Sequence, residues 1–110
     1  MQAEFRISVE TALTKLSATH KEFTLLFGHG TLELEIYRPL KTDKQQPHSR
    51  DEVYIIASGE GMFYRNGETT PFKTGDFLFV PAGMEHRFFD FTDDFSTWVI
   101  FYGPEGGETK

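Results

Sequence analysis

GDFLFVPAGMEHRFFD, residues 75–90, sets Gly75, Pro81, Gly83 and His86 in the order G-x5-P-x-G-x2-H. Between the first glycine and the proline lies FLFV, an apolar run of strand length. Glycine permits a tight turn at either end, and Pro81 has no N–H to continue a ladder, so the run is a short, closed strand. His86 opens the next strand, HRFFDF, which ends at Thr92-Asp93-Asp94. Upstream, QPHSRDEVYIIASGEG, residues 46–61, carries Gln46, His48 and Glu52 at positions of equal parity. In an extended chain these side chains leave on one face, which is the convergence a metal ion needs. Arg50 shares the parity, so the pattern also allows a bend before Glu52. If the strand opened by His86 lies beside the one carrying Glu52, two imidazoles, a carboxylate and an amide oxygen meet inside a barrel.

The rest of the chain continues this rhythm. FTLLF, TLELEIY, VYIIA, MFYR, ETTPFK and STWVIFY are strand-like, and Gly28-His29-Gly30 and Asn66-Gly67 read as hairpin turns. In TLELEIY, Leu32, Leu34 and Ile36 form the apolar face of a half-buried strand, with Glu33, Glu35 and Tyr37 opposite. One helical pattern precedes the strands. Val9, Ala12, Leu13 and Leu16 predict a short amphipathic helix over residues 8–17 with Ser8 as its N-cap. The expectation is a single domain, residues 1–110, with a β-barrel over 23–102 and an unpacked tail, EGGETK, within 103–110. About seven or eight short strands without crossover helices exclude a parallel α/β fold and indicate an antiparallel sandwich or barrel.

Composition bounds the function. The 110 residues include 17 acidic and 11 basic side chains, a formal net charge of −6, and no cysteine. An acidic surface without a basic stripe argues against nucleic acid and anionic lipid as partners. Lack of cysteine removes disulfides, thiolate nucleophiles and iron–sulfur ligation, so a metal must be held by His, carboxylate or amide oxygen. The amino terminus shows no secretory pattern and no apolar run is long enough to span a bilayer, so the expected location is the cytoplasm. Twelve Phe, four Tyr and one Trp exceed what so small a core needs, which predicts a homodimer.

At these motifs the sequence resembles the cupin superfamily of small double-stranded β-helix (jelly-roll) barrels. The superfamily's first motif, G-x5-H-x-H-x3-E-x6-G, falls on Gln46, His48, Glu52 and Gly59. Its second, G-x5-P-x-G-x2-H-x3-N, falls on Gly75, Pro81, Gly83, His86 and Asp90. Leu40 stands where the first motif begins with Gly, Gln46 replaces the first His, and Asp90 replaces the final Asn. The resemblance implies an all-β fold and a divalent transition metal (Fe, Mn, Ni, Zn or Cu) on Gln46, His48, Glu52 and His86. It also implies a small polar ligand or substrate at the mouth of the barrel. An amide oxygen is a weaker ligand than imidazole for late first-row metals.

Each of these residues has a plainer use. The two histidines suit hydrogen bonds to backbone carbonyls, and Glu52 suits an ion pair with Arg50 or Arg87. His20 and His29 belong to solvated turns, Trp98 to the core, and Phe88, Phe89 and Phe91 to the core and a dimer face. Tyr37, Tyr54 and Tyr64 are undistinguished candidates for a pocket proton donor. Three functions remain open on sequence: a metal-dependent oxygenase or isomerase/lyase, a non-catalytic ligand- or metal-sensing module, and a metal-free structural barrel.

Overall fold

The computed structural model describes residues 5–109; residues 1–4 and 110, the ends of the expected domain and tail, lie outside the described residues. One helix and eight strands follow in chain order: α1 (Val9–Thr19), β1 (Phe23–His29), β2 (Leu32–Tyr37), β3 (Asp51–Ser58), β4 (Glu60–Arg65), β5 (Glu68–Lys73), β6 (Phe77–Val80), β7 (His86–Phe89) and β8 (Ser96–Tyr102). They form a five-stranded sheet in the order β1-β2-β8-β3-β6 and a three-stranded sheet in the order β5-β4-β7. Every pairing is antiparallel. Between the sheets lies an aromatic core in which Tyr54, Phe63, Phe72, Phe88 and Phe95 pack edge-to-face or tilted, with ring centroids 4.8 to 6.0 Å apart.

Local chemistry explains the turns. Asn66 (φ 47°) and Gly67 (φ 90°) take the two positive φ values that a tight hairpin between β4 and β5 requires. Gly59 is held by space as well as conformation, because a Cβ there would stand 2.6 Å from the Phe95 Cα. Asp90, at the position where the second motif ends in Asn, has φ 49°, a conformation both residues tolerate. Helix α1 begins as expected, with the Ser8 hydroxyl accepting from the Thr11 N–H at 3.0 Å. It runs two residues past the expected end at Ser17, to Thr19, and stops where His20 turns left-handed and its N–H reaches the Ser17 carbonyl.

One expectation, the unpacked tail, is corrected, and the facing of β2 and the place of Trp98 are set by packing. Leu34 and Ile36 face away from the barrel: Ile36 is fully buried against Ala12 and Leu16 of α1, while Glu35 and Tyr37 point into the barrel. Trp98 packs with that outer cluster rather than in the barrel core. The segment after Gly103 is tied down, because Gly106 N–H donates to the Ser49 carbonyl at 2.7 Å and Glu108 N–H to Asp51 Oδ2 at 2.8 Å. The other Asp51 oxygen accepts from Ala82 N–H, so one carboxylate joins the chain end to the loop after β6. Among the described residues no helix is long and apolar enough to cross a membrane.

Candidate metal centre

His48, Glu52 and His86 reach one point from three directions. Glu52 lies on β3 between Val80 of β6 and Phe101 of β8, and strand parity sends its side chain, with those of Tyr54 and Ile56, into the barrel. His86 opens β7 in the opposite sheet, where it pairs with Arg65 of β4. His48 ends the irregular segment before β3 and rests edge-on against Phe101, ring centroids 4.9 Å apart. One ligand-type atom from each residue lies within 4.8 Å of the others. His86 Nε2 stands 3.2 Å and His48 Nε2 3.8 Å from Glu52 Oε1. Ligands bonded at about 2.0–2.2 Å in open geometry need roughly this mutual spacing.

The electrostatics fit a cation. Both carboxylate oxygens of Glu52 and Nε2 of His86 are buried with no hydrogen-bond partner among the described residues. Left bare, each such atom costs about 1–3 kcal/mol, and a divalent ion would satisfy all of them. His86 Nδ1 lies 3.0 Å from the Met84 carbonyl, so the ring proton belongs on Nδ1 and the Nε2 lone pair faces Glu52. Burial pushes the Glu52 carboxyl up to about 8, and burial followed by the nearby His86 lowers the His48 imidazole, which keeps it neutral and able to ligate. The expected ion pairs of Glu52 with Arg50 or Arg87 are absent among the described residues. Arg50 turns outward to Glu33 Oε1 at 2.6 Å and to the Thr31 carbonyl at 2.7 Å.

Gln46 does not join this group. It is exposed, and the glutamine that turns inward is Gln45. Its Oε1 accepts from the Tyr54 hydroxyl at 3.1 Å and lies 3.3 Å from His48 Nε2. The equal-parity argument fails because this segment is not extended: the chain bends at Ser49 and Arg50, and an Asx turn closes from Gln45 N–H to Asp43 Oδ1 at 2.9 Å. Asp43 itself is buried and accepts three further bonds, from the Tyr37 hydroxyl, Gln45 Nε2 and the Phe88 N–H. An aspartate two residues before a glutamine was the one available sign of this turn. His20 and His29 are exposed and stand apart from the centre, as expected. Of the three tyrosines, Tyr37 and Tyr54 approach the site, and Tyr64 instead donates to Glu85 at 2.7 Å.

Beside His48 a cavity of about 260 Å³ opens, lined by Phe23, Glu35, Tyr37, Gln45, His48, Val99 and Phe101. Its size suits a small molecule, and His48 connects it to the buried pair behind.

Known proteins share this fold. A protein of Streptomyces coelicolor with no assigned function is 41% identical over 64 residues, covering 58% of this chain and 61% of that protein. An oxalate-binding protein of Thermotoga maritima is 46% identical over 35 residues, 32% of this chain and 29% of its own length. The chain thus spans less than two thirds of these curated relatives. A crystal structure of a cupin-2 domain protein from Shewanella frigidimarina superposes with a TM-score of 0.66 at 15% identity, over 83% of this chain and 91% of that one. The family model described as the cupin domain matches residues 24–101. With the two-sheet barrel and the inward His48, Glu52 and His86 already in place, that match over most of its length shows that the chain belongs to the cupin family.

Proposed function

We propose that this chain holds a divalent transition metal on His48, Glu52 and His86 and uses it to bind and activate a small polar molecule in the adjoining cavity. The observation that carries the reading is the set of buried, unpartnered atoms, Glu52 Oε1 and Oε2 and His86 Nε2, gathered with His48 into one group. Two imidazoles and a carboxylate leave coordination positions free for substrate, and such a centre polarises a bound oxygen function or, with Fe, supports oxygen chemistry. The protein's own contribution is orientation. The Met84 carbonyl fixes the His86 ring, Phe101 supports His48, and Asp43 holds the Gln45 turn that flanks it. Elemental analysis of tag-free protein tests the reading: close to one metal per chain is expected, with loss in Glu52→Ala and His86→Ala. Protein that stays folded and takes up no Mn, Fe, Ni, Zn or Cu overturns it.

A non-catalytic binding role has one observation in its favour. The Tyr37 hydroxyl and both ends of the Gln45 amide are already hydrogen-bonded within the protein, which leaves few groups free to move protons. Product formation by metal-loaded protein on diketones, catechols, thiols and sugars separates the two roles.

A further inference from the structure

We propose that Glu35 sets the ligand class of this cavity, selecting molecules that carry an ammonium or hydroxyl group and rejecting anions. The inference rests on the metal-centre reading above and adds to it the chemistry of the ligand's far end.

β2 turns Glu35 into the barrel. Glu35 stands in register with Leu25 on β1 and Val99 on β8, and it lines the same cavity as His48. A glutamate on a barrel's inner wall is costly unless something answers its charge. Among the described residues nothing does. The cavity lining contains no lysine or arginine, and Glu35 makes no hydrogen bond or ion pair among the described residues. Arg50, the cation on the neighbouring stretch, is committed to Glu33 and to two backbone carbonyls, those of Thr31 and Gly103.

The other lining groups are apolar or largely engaged. The Tyr37 hydroxyl donates to Asp43 at 2.8 Å. Gln45 donates one amide N–H to Asp43 and accepts from the Tyr54 hydroxyl on its oxygen, which leaves its second N–H as a neutral donor. Phe23, Val99 and Phe101 offer no polar atoms. The polar functions left in the cavity are therefore the His48 imidazole, turned to the metal site, one Gln45 amide N–H and the Glu35 carboxyl, and of these Glu35 is the one carboxylate. Half-buried as it is, that carboxyl is less screened than a surface group, and its field extends to Glu52. A ligand whose donor or positive charge reaches Glu35 supplies the missing partner; a dicarboxylate or phosphate ester meets it with no compensating cation.

Two probes with the same metal-seeking catechol head and opposite tails make the test: dopamine, with a protonated amine, and dihydroxyphenylacetate, with a carboxylate. Zinc is loaded first, being redox-inert, and its stoichiometry is measured in the unmodified protein and in Glu35→Gln. Each probe is then titrated calorimetrically under argon. The unmodified protein should bind dopamine at least about tenfold more tightly than dihydroxyphenylacetate. Glu35→Gln, close to isosteric, should keep zinc and bring the ratio near one, and Glu35→Lys should invert it. A ratio near one in the unmodified protein, or one unchanged by Glu35→Gln, overturns the inference. So does loss of zinc in Glu35→Gln, which would make Glu35 a ligand. Failure of the metal-centre reading itself shows earlier and separately, as absence of zinc from the unmodified protein, and takes this inference with it.

Discussion

Nε2 of His86 stands 3.2 Å from Oε1 of Glu52, both buried, and neither atom has a hydrogen-bond partner among the described residues. The pair joins the two sheets, since Glu52 belongs to β3 of the larger and His86 to β7 of the smaller. Without a cation it is a point of strain at the centre of the barrel. With one it is a clamp between the layers.

That contrast fixes the pH response of the metal-free protein. Burial raises the Glu52 carboxyl from an ordinary 4.5 to about 8 in the folded state. Between these values the folded chain keeps a proton that the unfolded chain has released, so stability falls as pH rises through the window. The loss is on the order of a few kcal/mol. Thermal melts in chelator should show a lower Tm at pH 8 than at pH 5, with Glu52→Gln flattening the trend. Saturating metal should raise Tm most at the upper end, where the carboxylate it binds is otherwise bare. A metal-free Tm that climbs steadily from pH 5 to pH 8 would contradict the account.

Asp43 should prove a structural anchor. Its carboxylate accepts from Tyr37, from the Gln45 backbone and side chain, and from the Phe88 N–H on β7. Asp43→Ala leaves a buried phenol and a buried strand N–H unsatisfied, a cost of roughly 2–4 kcal/mol. Denaturant unfolding should show a lower midpoint with an unchanged slope. Metal affinity should fall as well, because the turn that carries Gln45 beside His48 is lost.

The strand order of residues and the glycine and proline spacing made the barrel readable, because turns and ladder ends are local properties. Facing was not. In TLELEIY the alternation is visible, but a barrel with an outer helix gives β2 two buried sides, and only the packing of Ile36 on α1 decides which set looks inward. The same limit applied at Gln46, where a one-residue displacement by the Asp43 turn moved the neighbouring glutamine into the site. His48, Glu52 and His86 were legible because His86 opens β7 and Glu52 is the second residue of β3, strands whose register the motifs pin. Glu35 was hidden because its inward direction depends on β2 facing.

The glutamine correction has its own test. Gln46 is exposed, so Gln46→His should leave Ni and Zn affinity within about twofold of the unmodified protein. Gln45→His places an imidazole where an amide now lies 3.3 Å from His48 Nε2, and should tighten the same metals by about tenfold. Titrations against a competing chelator read both. Tightening by Gln46→His alone would mean the segment rearranges when metal binds.

The outer face of the larger sheet is apolar. Phe27, Leu34, Ile100, Val53 and Phe79 succeed one another in register across β1, β2, β8, β3 and β6, an unbroken apolar row on the side away from the barrel core. Trp98, Ile55 and Phe77 continue a second row beside it, and Phe77 is 61% exposed. An antiparallel sheet with a solvated face normally alternates to polar residues there, and the α1 cluster covers the part around Ile36, the edge of Trp98 included. A second copy is the partner this chain always has at hand, and two uncharged faces can meet despite a net charge of −6 on each chain. Sedimentation at micromolar concentration should give twice the 12.7 kDa chain mass. Phe79→Glu should shift it to the monomer while leaving metal stoichiometry unchanged, because Phe79 lies on the outer side of β6 and Glu52 faces inward from β3. A monomer in the unmodified protein would leave those rows in search of a different partner and would refute the homodimer.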